Sequence, residues 1–432
     1  MGVTLLHPED EFDRRAMVMA LVGAAGVLVV CNLHERYGSI VRIAPNELSC
    51  IDIQSVSQVY KVGGGFEKAQ WVGDYATKLP ALSLSMILNS EEAKQRRRLL
   101  QGSFAITSLR KNWESTIRSK PALIWAIIGG AGIRKADVIQ CEIPFLASLS
   151  QLIPRSLLQT FSRQLEQVRL GGADGVASVK QQGPSSAQSI FTEMIAECDS
   201  EGRTWLTKQA VGMEGAGMMV AGTDTTAAVL TYLIWSVLKQ PVLQEKLENE
   251  IALLGDNFDD KRLEACPILG AVIEETLRLY PAVLSSLPRL IPGGGTTLSS
   301  HFVPAGTVVY SPAYSLQRDP KVFPDPHRYD YLEYPSEKAL ANSRLSRFDV
   351  DRYLDPTKVS LQQRQAYIPL GAGARVCIGQ YLAMMELRLS TAVFFKRCRG
   401  ARLGPNMPAD SMKMKDYVLL SPKRKRCDIT LV

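Results

Sequence analysis

Cys377 lies in Leu370-Gly371-Ala372-Gly373-Ala374-Arg375-Val376-Cys377-Ile378-Gly379, a glycine-rich run that leads into apolar residues at Ile378, Leu382, Met385, Leu389 and Val393. That three-and-four spacing predicts a helix, with the cysteine at its N-terminus. There the helix dipole and unpaired backbone N–H groups favour an anionic sulfur, so the spacing predicts a lowered thiol pKa. The glycines permit positive φ and let a flat ligand come close. Arg375, two residues before the sulfur, can pair with a carboxylate on such a ligand. The arrangement suits the presentation of a thiolate to iron. One cysteine ahead of a helix is more often an inert buried thiol. The argument therefore rests on the whole spacing.

Two distant segments carry further chemistry. Ala221-Gly222-Thr223-Asp224-Thr225-Thr226 interrupts an apolar stretch from about Met213 to Leu238 that has no proline and few charges. It reads as a long buried helix. Gly215, Gly217 and Gly222 weaken it by roughly 1 kcal/mol each, which predicts a close neighbour or a local bulge. An Asp and three Thr are costly inside such a helix unless hydrogen-bonded, and a Thr can bond back to a carbonyl one turn earlier. In Glu275-Thr276-Leu277-Arg278, within a helical pattern from Ile268 to Tyr280 closed by Pro281, acid and base three apart share a helix face. An exposed pair of that kind contributes less than about 1 kcal/mol. Its position, about a hundred residues before Cys377, gives it meaning.

The cysteine loop resembles the heme-binding signature of the cytochrome P450 family, F-x-x-G-x-R-x-C-x-G, with Gly373, Arg375, Cys377 and Gly379 in register. Leu370 replaces the usual Phe, which shields the sulfur and tunes the iron's potential. The resemblance implies heme b with Cys377 as axial ligand of the iron, and Asp224 and Thr225 as a proton relay to dioxygen. It implies a buried network of Glu275, Arg278 and Arg352, the last in Val350-Asp351-Arg352-Tyr353. It also implies heme carboxylate partners in Arg375, in Arg289 of Leu287-Pro288-Arg289, and in Arg96 of Glu92-Ala93-Lys94-Gln95-Arg96-Arg97-Arg98. The implied fold is mainly α with small β-sheets, the heme lying between a long central helix and the cysteine-loop helix. His34-Glu35-Arg36-Tyr37-Gly38-Ser39-Ile40-Val41-Arg42 reads as the entry to the first strand and is similar to filamentous-fungal members.

The implied activity is that of a heme-thiolate monooxygenase of secondary-metabolite biosynthesis, hydroxylating or epoxidising a small apolar organic substrate with dioxygen. Electrons would come from NADPH through a separate NADPH-cytochrome P450 reductase. Arg388, Lys396, Arg397 and Arg399 offer cations to such an acidic donor, or form a solvated helix end. Substrate contacts are expected from Trp71 to Leu88, Ile143 to Pro154, Ala282 to Leu287 and the turn near Val418. Rival readings are a non-catalytic heme-binding remnant and a reductase-independent heme-thiolate isomerase or peroxygenase.

Composition sets limits. The 432 residues, 46% hydrophobic and 22% charged, suffice for a large core. Eight cysteines show no C-x-x-C spacing, so neither zinc nor a disulfide framework is expected. The net charge is +7, yet no basic tract is interleaved with aromatics, which argues against nucleic acid. Residues 1–32 form an N-terminal segment in which an uncharged run from Ala16 to Cys31, extended to Leu33, is just long enough to span a membrane. That predicts attachment to the endoplasmic reticulum membrane, with the catalytic domain, 33–432, facing the cytoplasm. The competing reading is a buried first helix. Between Arg98 and Ala221 lie only 122 residues, so the roof region, 99–220, is expected to lack one or two helices. His327-Arg328-Tyr329-Asp330 is nearly echoed by Ser346-Arg347-Phe348-Asp349, which suggests an insertion at 329–347 and makes Arg328 a rival to Arg352.

Overall fold

The computed structural model describes residues 24–70, 81–119, 190–199, 206–284, 288–323, 348–417 and 419–431. Helix α1 (Ala24–Tyr37) leads into β1 (Ile40–Ala44) and β2 (Glu47–Cys50), followed by α2 (Ile53–Val59) and β3 (Glu67–Lys68). Helices α3 (Ser90–Gln101), α4 (Ile106–Asn112), α5 (Glu114–Ser119) and α6 (Thr192–Asp199) precede the long α7 (Lys208–Leu238). Then come α8 (Pro241–Ala252), α9 (Asp260–Glu264) and α10 (Pro267–Leu279). Strands β4 (Arg289–Leu290), β5 (Thr296–Leu298), β6 (His301–Val303) and β7 (Val308–Tyr310) follow, with the short α11 (Ala313–Leu316), α12 (Asp351–Leu354) and α13 (Leu361–Ala366). Helix α14 (Gln380–Arg397) and strands β8 (Arg402–Leu403), β9 (Met414–Tyr417), β10 (Leu419–Pro422) and β11 (Ile429–Thr430) close the chain.

Helix α7 starts earlier than its apolar run because Thr207 caps it, the side chain accepting from the Ala210 N–H at 3.1 Å. It is continuous over 31 residues, so the expected bulge at the glycines is not there. Thr223 and Thr225 instead return their hydroxyls to the carbonyls of Met219 and Ala221, at 2.7 and 2.6 Å, which satisfies them without breaking the helix. Pro267 opens α10, where its missing N–H costs nothing.

The C-terminal half of α7 packs with α8, α10 and α14 around fully buried Leu230, Leu233, Ile234, Leu247, Val272, Ile273, Met385 and Leu389. Each such side chain contributes about 1.5–3 kcal/mol relative to exposure. Tyr232 stacks on Tyr280 at 4.4 Å between ring centroids, joining α7 to the end of α10. A separate cluster holds Leu100, Phe104, Met194, Leu206, Ala210 and Val211, with Leu84, Met218, Ile378 and Leu382 against it. It brings α3, the start of α7 and the start of α14 to one place.

The main sheet runs β1-β2-β7-β4-β3, with β2 and β7 parallel and the other pairs antiparallel. The β3–β4 register sets Lys68 opposite Arg289. The expected first-strand entry divides, His34 to Tyr37 ending α1 and the strand beginning at Ile40. His34 staples the two: its Nδ1 lies 2.8 Å from the Gly38 carbonyl and its Nε2 2.7 Å from Ser49 Oγ.

Burial pushes the His34 pKa down to about 4, against smaller upward pulls from the Gly38 carbonyl and Asp319. The unfolded chain, titrating near its ordinary value of about 6.5, binds the proton more readily. The stability that neutral His34 contributes is therefore complete above about pH 6.5 and falls by about 3 kcal/mol as the pH drops to about 4. Thermal unfolding of wild type and His34→Asn across that range should show the steeper acid loss in wild type. Equal slopes would remove His34 from the acid response.

Among the described residues no single helix is long and apolar enough to cross a membrane, and no disulfide forms among their cysteines. The expected anchor at 16–33 lies outside the described residues as far as Gly23. So do the core of the roof, 120–189, and the segments 329–347, Ile143 to Pro154, Trp71 to Pro80, 285–287 and Val418.

Candidate active site

The cysteine loop is shaped by two glycines in the left-handed region, Gly371 at φ 79° and Gly373 at φ 69°. A 3-10 turn over Gly373–Arg375 and a hydrogen bond from the Cys377 N–H to the Leu370 carbonyl, 2.9 Å, fold the loop back on itself. A Cβ on Gly373 would lie 1.9 Å from the Tyr60 carbonyl oxygen. Gly373→Ala therefore costs about 1–2 kcal/mol in backbone conformation and must also displace the end of α2. We expect a lower Tm together with loss of the thiolate-type carbon monoxide spectrum. A variant with the wild-type spectrum would show the contact to be slack.

Cys377 keeps an accessible face although protein crowds it elsewhere. Burial pushes its thiol up, against the Gly379 N–H, which donates to Sγ, and the Arg97 charge. The lowered pKa expected from the helix terminus is thus overturned, because desolvation outweighs the Gly379 N–H and the Arg97 charge. A cation bound to the sulfur reverses the balance, since a coordinating thiol is deprotonated outright.

Four cations surround the loop. Arg375 donates to the carbonyls of Ile87 at 3.0 Å and Leu88 at 2.8 Å, and stands 3.8 Å from Glu67. Arg289 is buried with its guanidinium 5.0 Å from the Tyr60 ring centroid. Lys68 donates to the Ser85 carbonyl at 2.5 Å. Burial, then the Arg375 and Arg289 charges, push Lys68 down to about 7. Arg97 donates to the Val376 carbonyl at 2.8 Å, and its charge acts on Cys377. Glu67 and, more weakly, Glu92 oppose them. Three arginines and a half-protonated Lys68 outweigh these two carboxylates, so the surround is net positive.

Glu275 and Arg278 form a two-pronged pair, both bonds 2.7 Å, with neither side chain exposed. Arg352 stands 3.8 Å from Glu275 as the third partner, and its rival Arg328 lies outside the described residues. Arg278 also donates to the Gln317 carbonyl at 2.8 Å. The Gln317 amide donates to the carbonyls of Leu277 and Arg278 and accepts from the Ile368 N–H at 2.9 Å. Ile368 is two residues before Leu370. The buried pair therefore braces the cysteine loop through Gln317.

Helix α7 is accessible from Gly217 to Thr225 and buried on either side. Met219 and Val220 are 52% and 44% exposed, which gives this stretch an apolar lining. A Cβ on Gly222 would meet nothing within 4 Å. Asp224 and Thr225 end the stretch, and buried Thr226 contacts Glu386 of α14, whose carboxyl burial pushes up to about 7.

These residues fit a flat macrocycle with two carboxylates and a soft-ligand iron. Cys377 supplies the sulfur, the net positive surround suits carboxylates, and the accessible glycine-containing stretch of α7 leaves room for a plane. Arg97, Arg289 and Arg375, with Lys68, would hold the carboxylates. Arg96 is buried with Nη1 3.4 Å from Glu214, and its buried Nε has no hydrogen-bond partner among the described residues, so it keeps a donor for a carboxylate. Its neighbour Arg97 reaches the loop and adds a further cation there. Arg388 is likewise no docking cation, being buried and bonded twice to Asp260, at 2.6 and 3.0 Å. Lys396 and Arg399 pair with Asp256 and Glu248. Sequence reasoning missed Lys68, Arg97, Gln317, Glu214 and Glu386. Of these only Arg97 carried a signal, as a member of the same basic run.

Comparison with known proteins agrees with this geometry. The family model described as Cytochrome P450 matches residues 173–427. Cytochrome P450 monooxygenase aflV of Aspergillus parasiticus is 31% identical, over 94% of this chain and 86% of the relative. Cytochrome P450 monooxygenase tazI of Aspergillus terreus is 31% identical over 92% and 87%. Cytochrome P450 monooxygenase stcB of Emericella nidulans is 30% identical over 93% and 83%. With the thiol loop, its cationic surround and the braced glutamate–arginine pair in place, these matches show that the chain belongs to the cytochrome P450 family.

Proposed function

We propose that the protein is a heme-thiolate monooxygenase that hydroxylates or epoxidises a small apolar organic substrate, using dioxygen and electrons passed from NADPH by a separate reductase. Its setting is fungal secondary metabolism, at the endoplasmic reticulum membrane with the catalytic domain towards the cytoplasm. The observation that carries the reading is Cys377 in its cationic surround, with its neighbour Ile378 and Met218 of α7 packed against one cluster.

Bound heme would supply an iron whose thiolate ligand favours O–O cleavage. The protein's own residues do the rest. Met219 and Val220 favour an apolar substrate over water. Thr225 donates its hydroxyl hydrogen to the Ala221 carbonyl, which leaves its oxygen lone pairs to accept a proton-bearing partner. Asp224, one residue earlier, supplies a carboxyl group for proton exchange with the solvent-accessible space. Glu275, Arg278 and Gln317 keep the sulfur where it is.

The test is the difference spectrum of dithionite-reduced protein with carbon monoxide, followed by oxygen consumption with NADPH and a purified reductase. A strongly red-shifted Soret band with reductase-dependent turnover supports the proposal. That band with reductase-independent turnover would mean an isomerase or peroxygenase, and failure to take up heme would mean a remnant. Retention of the full chain in the microsomal fraction after a high-salt wash tests the localisation.

A further inference from the structure

Glu214 is a carboxylate in the first half of α7, 3% exposed, and none of the chemistry above uses it. Its two oxygens accept from the Leu84 N–H at 3.1 and 2.8 Å. Arg96, also 3% exposed, stands 3.4 Å from one of them and 3.5 Å from the Leu82 carbonyl. One turn along the helix, a Cβ on Gly217 would lie 2.9 Å from Ser83 Cβ, so α7 and residues 82–85 meet there backbone to side chain. The Leu84 side chain packs in the cluster that holds Met218 and Ile378, the neighbour of Cys377.

Residues 82–88 are thus fastened at two ends by different chemistry. Lys68 and Arg375 hold the carbonyls of Ser85, Ile87 and Leu88, with cations that belong to the carboxylate-binding surround. Glu214 holds the Leu84 amide from α7, and Arg96 reaches the Leu82 carbonyl from α3. A buried ion pair is weak evidence for stability, because desolvation offsets most of its attraction. Its value here lies in placing a backbone segment: one carboxylate ties together α3, α7 and a loop more than a hundred residues away in sequence.

We propose that Glu214 and Arg96 are positioning residues that clamp residues 82–85 against α7, so fixing the wall beside Cys377 and Met218 and the size of apolar ligand the site admits. The ligand-size part rests on the heme-thiolate reading, whereas the clamp itself does not. Loss of the Glu214 carboxylate frees the Leu84 amide and leaves Arg96 buried without its anion, and the wall moves outward. A methyl on Gly217 pushes the same wall through Ser83 with no change of charge.

The experiment is hydrogen–deuterium exchange of the holoprotein, with affinities for imidazole and 4-phenylimidazole read from the Soret shift, in wild type, Glu214→Ala, Glu214→Gln and Gly217→Ala. Glu214→Ala and Gly217→Ala should speed exchange at residues 82–85 on the order of tenfold. Both should also change the ratio of the two affinities by several-fold. Glu214→Gln, which keeps an acceptor for Leu84 but not the anion beside Arg96, should fall between wild type and Glu214→Ala. Wild-type exchange and an unchanged ratio in Gly217→Ala and Glu214→Ala would overturn the proposal. If Glu214→Ala fails to take up heme, Gly217→Ala decides alone. Faster exchange without any thiolate band would leave the clamp standing and remove the heme-thiolate reading. A thiolate band with unaltered exchange would do the reverse.

Discussion

Cys377→Ala should remove the strongly red-shifted carbon monoxide band and all turnover, while the apoprotein still folds. The two effects separate because the thiol does little for the fold: Sγ accepts from the Gly379 N–H and feels the Arg97 charge. The loop's shape comes instead from Gly373 against Tyr60 and from the Cys377 N–H on the Leu370 carbonyl, both of which survive the change. A methyl in place of a thiol loses about 1 kcal/mol of burial and packing. The chemistry loses everything, because no other thiol of a described residue lies on this loop and a neutral ligand cannot push electron density onto iron as a thiolate does. Residual heme, held by Arg97, Arg289, Arg375 and Lys68, should show the band of a neutral axial ligand. A retained thiolate band or retained turnover would show that Cys377 is not the ligand. An apoprotein unfolded by the change would show that the sulfur is structural.

The parts of this site that were legible in the sequence are those built from local pattern. The cysteine loop declares itself because its glycines and arginine sit at fixed offsets on a single strand of chain. Helices α7 and α10 declare themselves because apolar periodicity and a closing proline are properties of neighbouring residues. What was not legible depends on which distant element a side chain meets. Arg96 and Arg97 are chemically identical and about 100° apart around α3. Only the packing of Glu214 beside that helix assigns one to a buried pair and the other to the cysteine loop. Lys68 joins the cationic surround through strand pairing with Arg289, a register no local signal specifies. Arg388 reads as a surface charge until Asp260 is placed against it. The thiol pKa ran opposite to expectation for the same reason. The helix terminus is visible in the sequence, whereas the burial that raises the thiol appears only once the chain is folded.

Arg278→Leu should cost about 3–5 kcal/mol and leave little protein able to form the thiolate site. The Glu275 carboxylate would keep the Asp349 N–H at 3.0 Å and Arg352 at 3.8 Å, but would lose both short bonds in a site with no exposure. Arg278→Lys should recover only part of this, because an ammonium cannot engage both carboxylate oxygens and the Gln317 carbonyl with the geometry of a guanidinium fork. The replacement of both Glu275 and Arg278 by Leu separates stability from positioning. With the fully buried carboxylate removed along with its guanidinium, and only the less buried Arg352 losing an anion, urea unfolding should show it more stable than Arg278→Leu. Its thiolate band should still be weak, since Gln317 has lost the guanidinium that fixes its carbonyl while its side chain holds Ile368 at the base of the cysteine loop. A double variant with the full wild-type band would mean that the pair braces nothing and that Gln317 alone sets the loop.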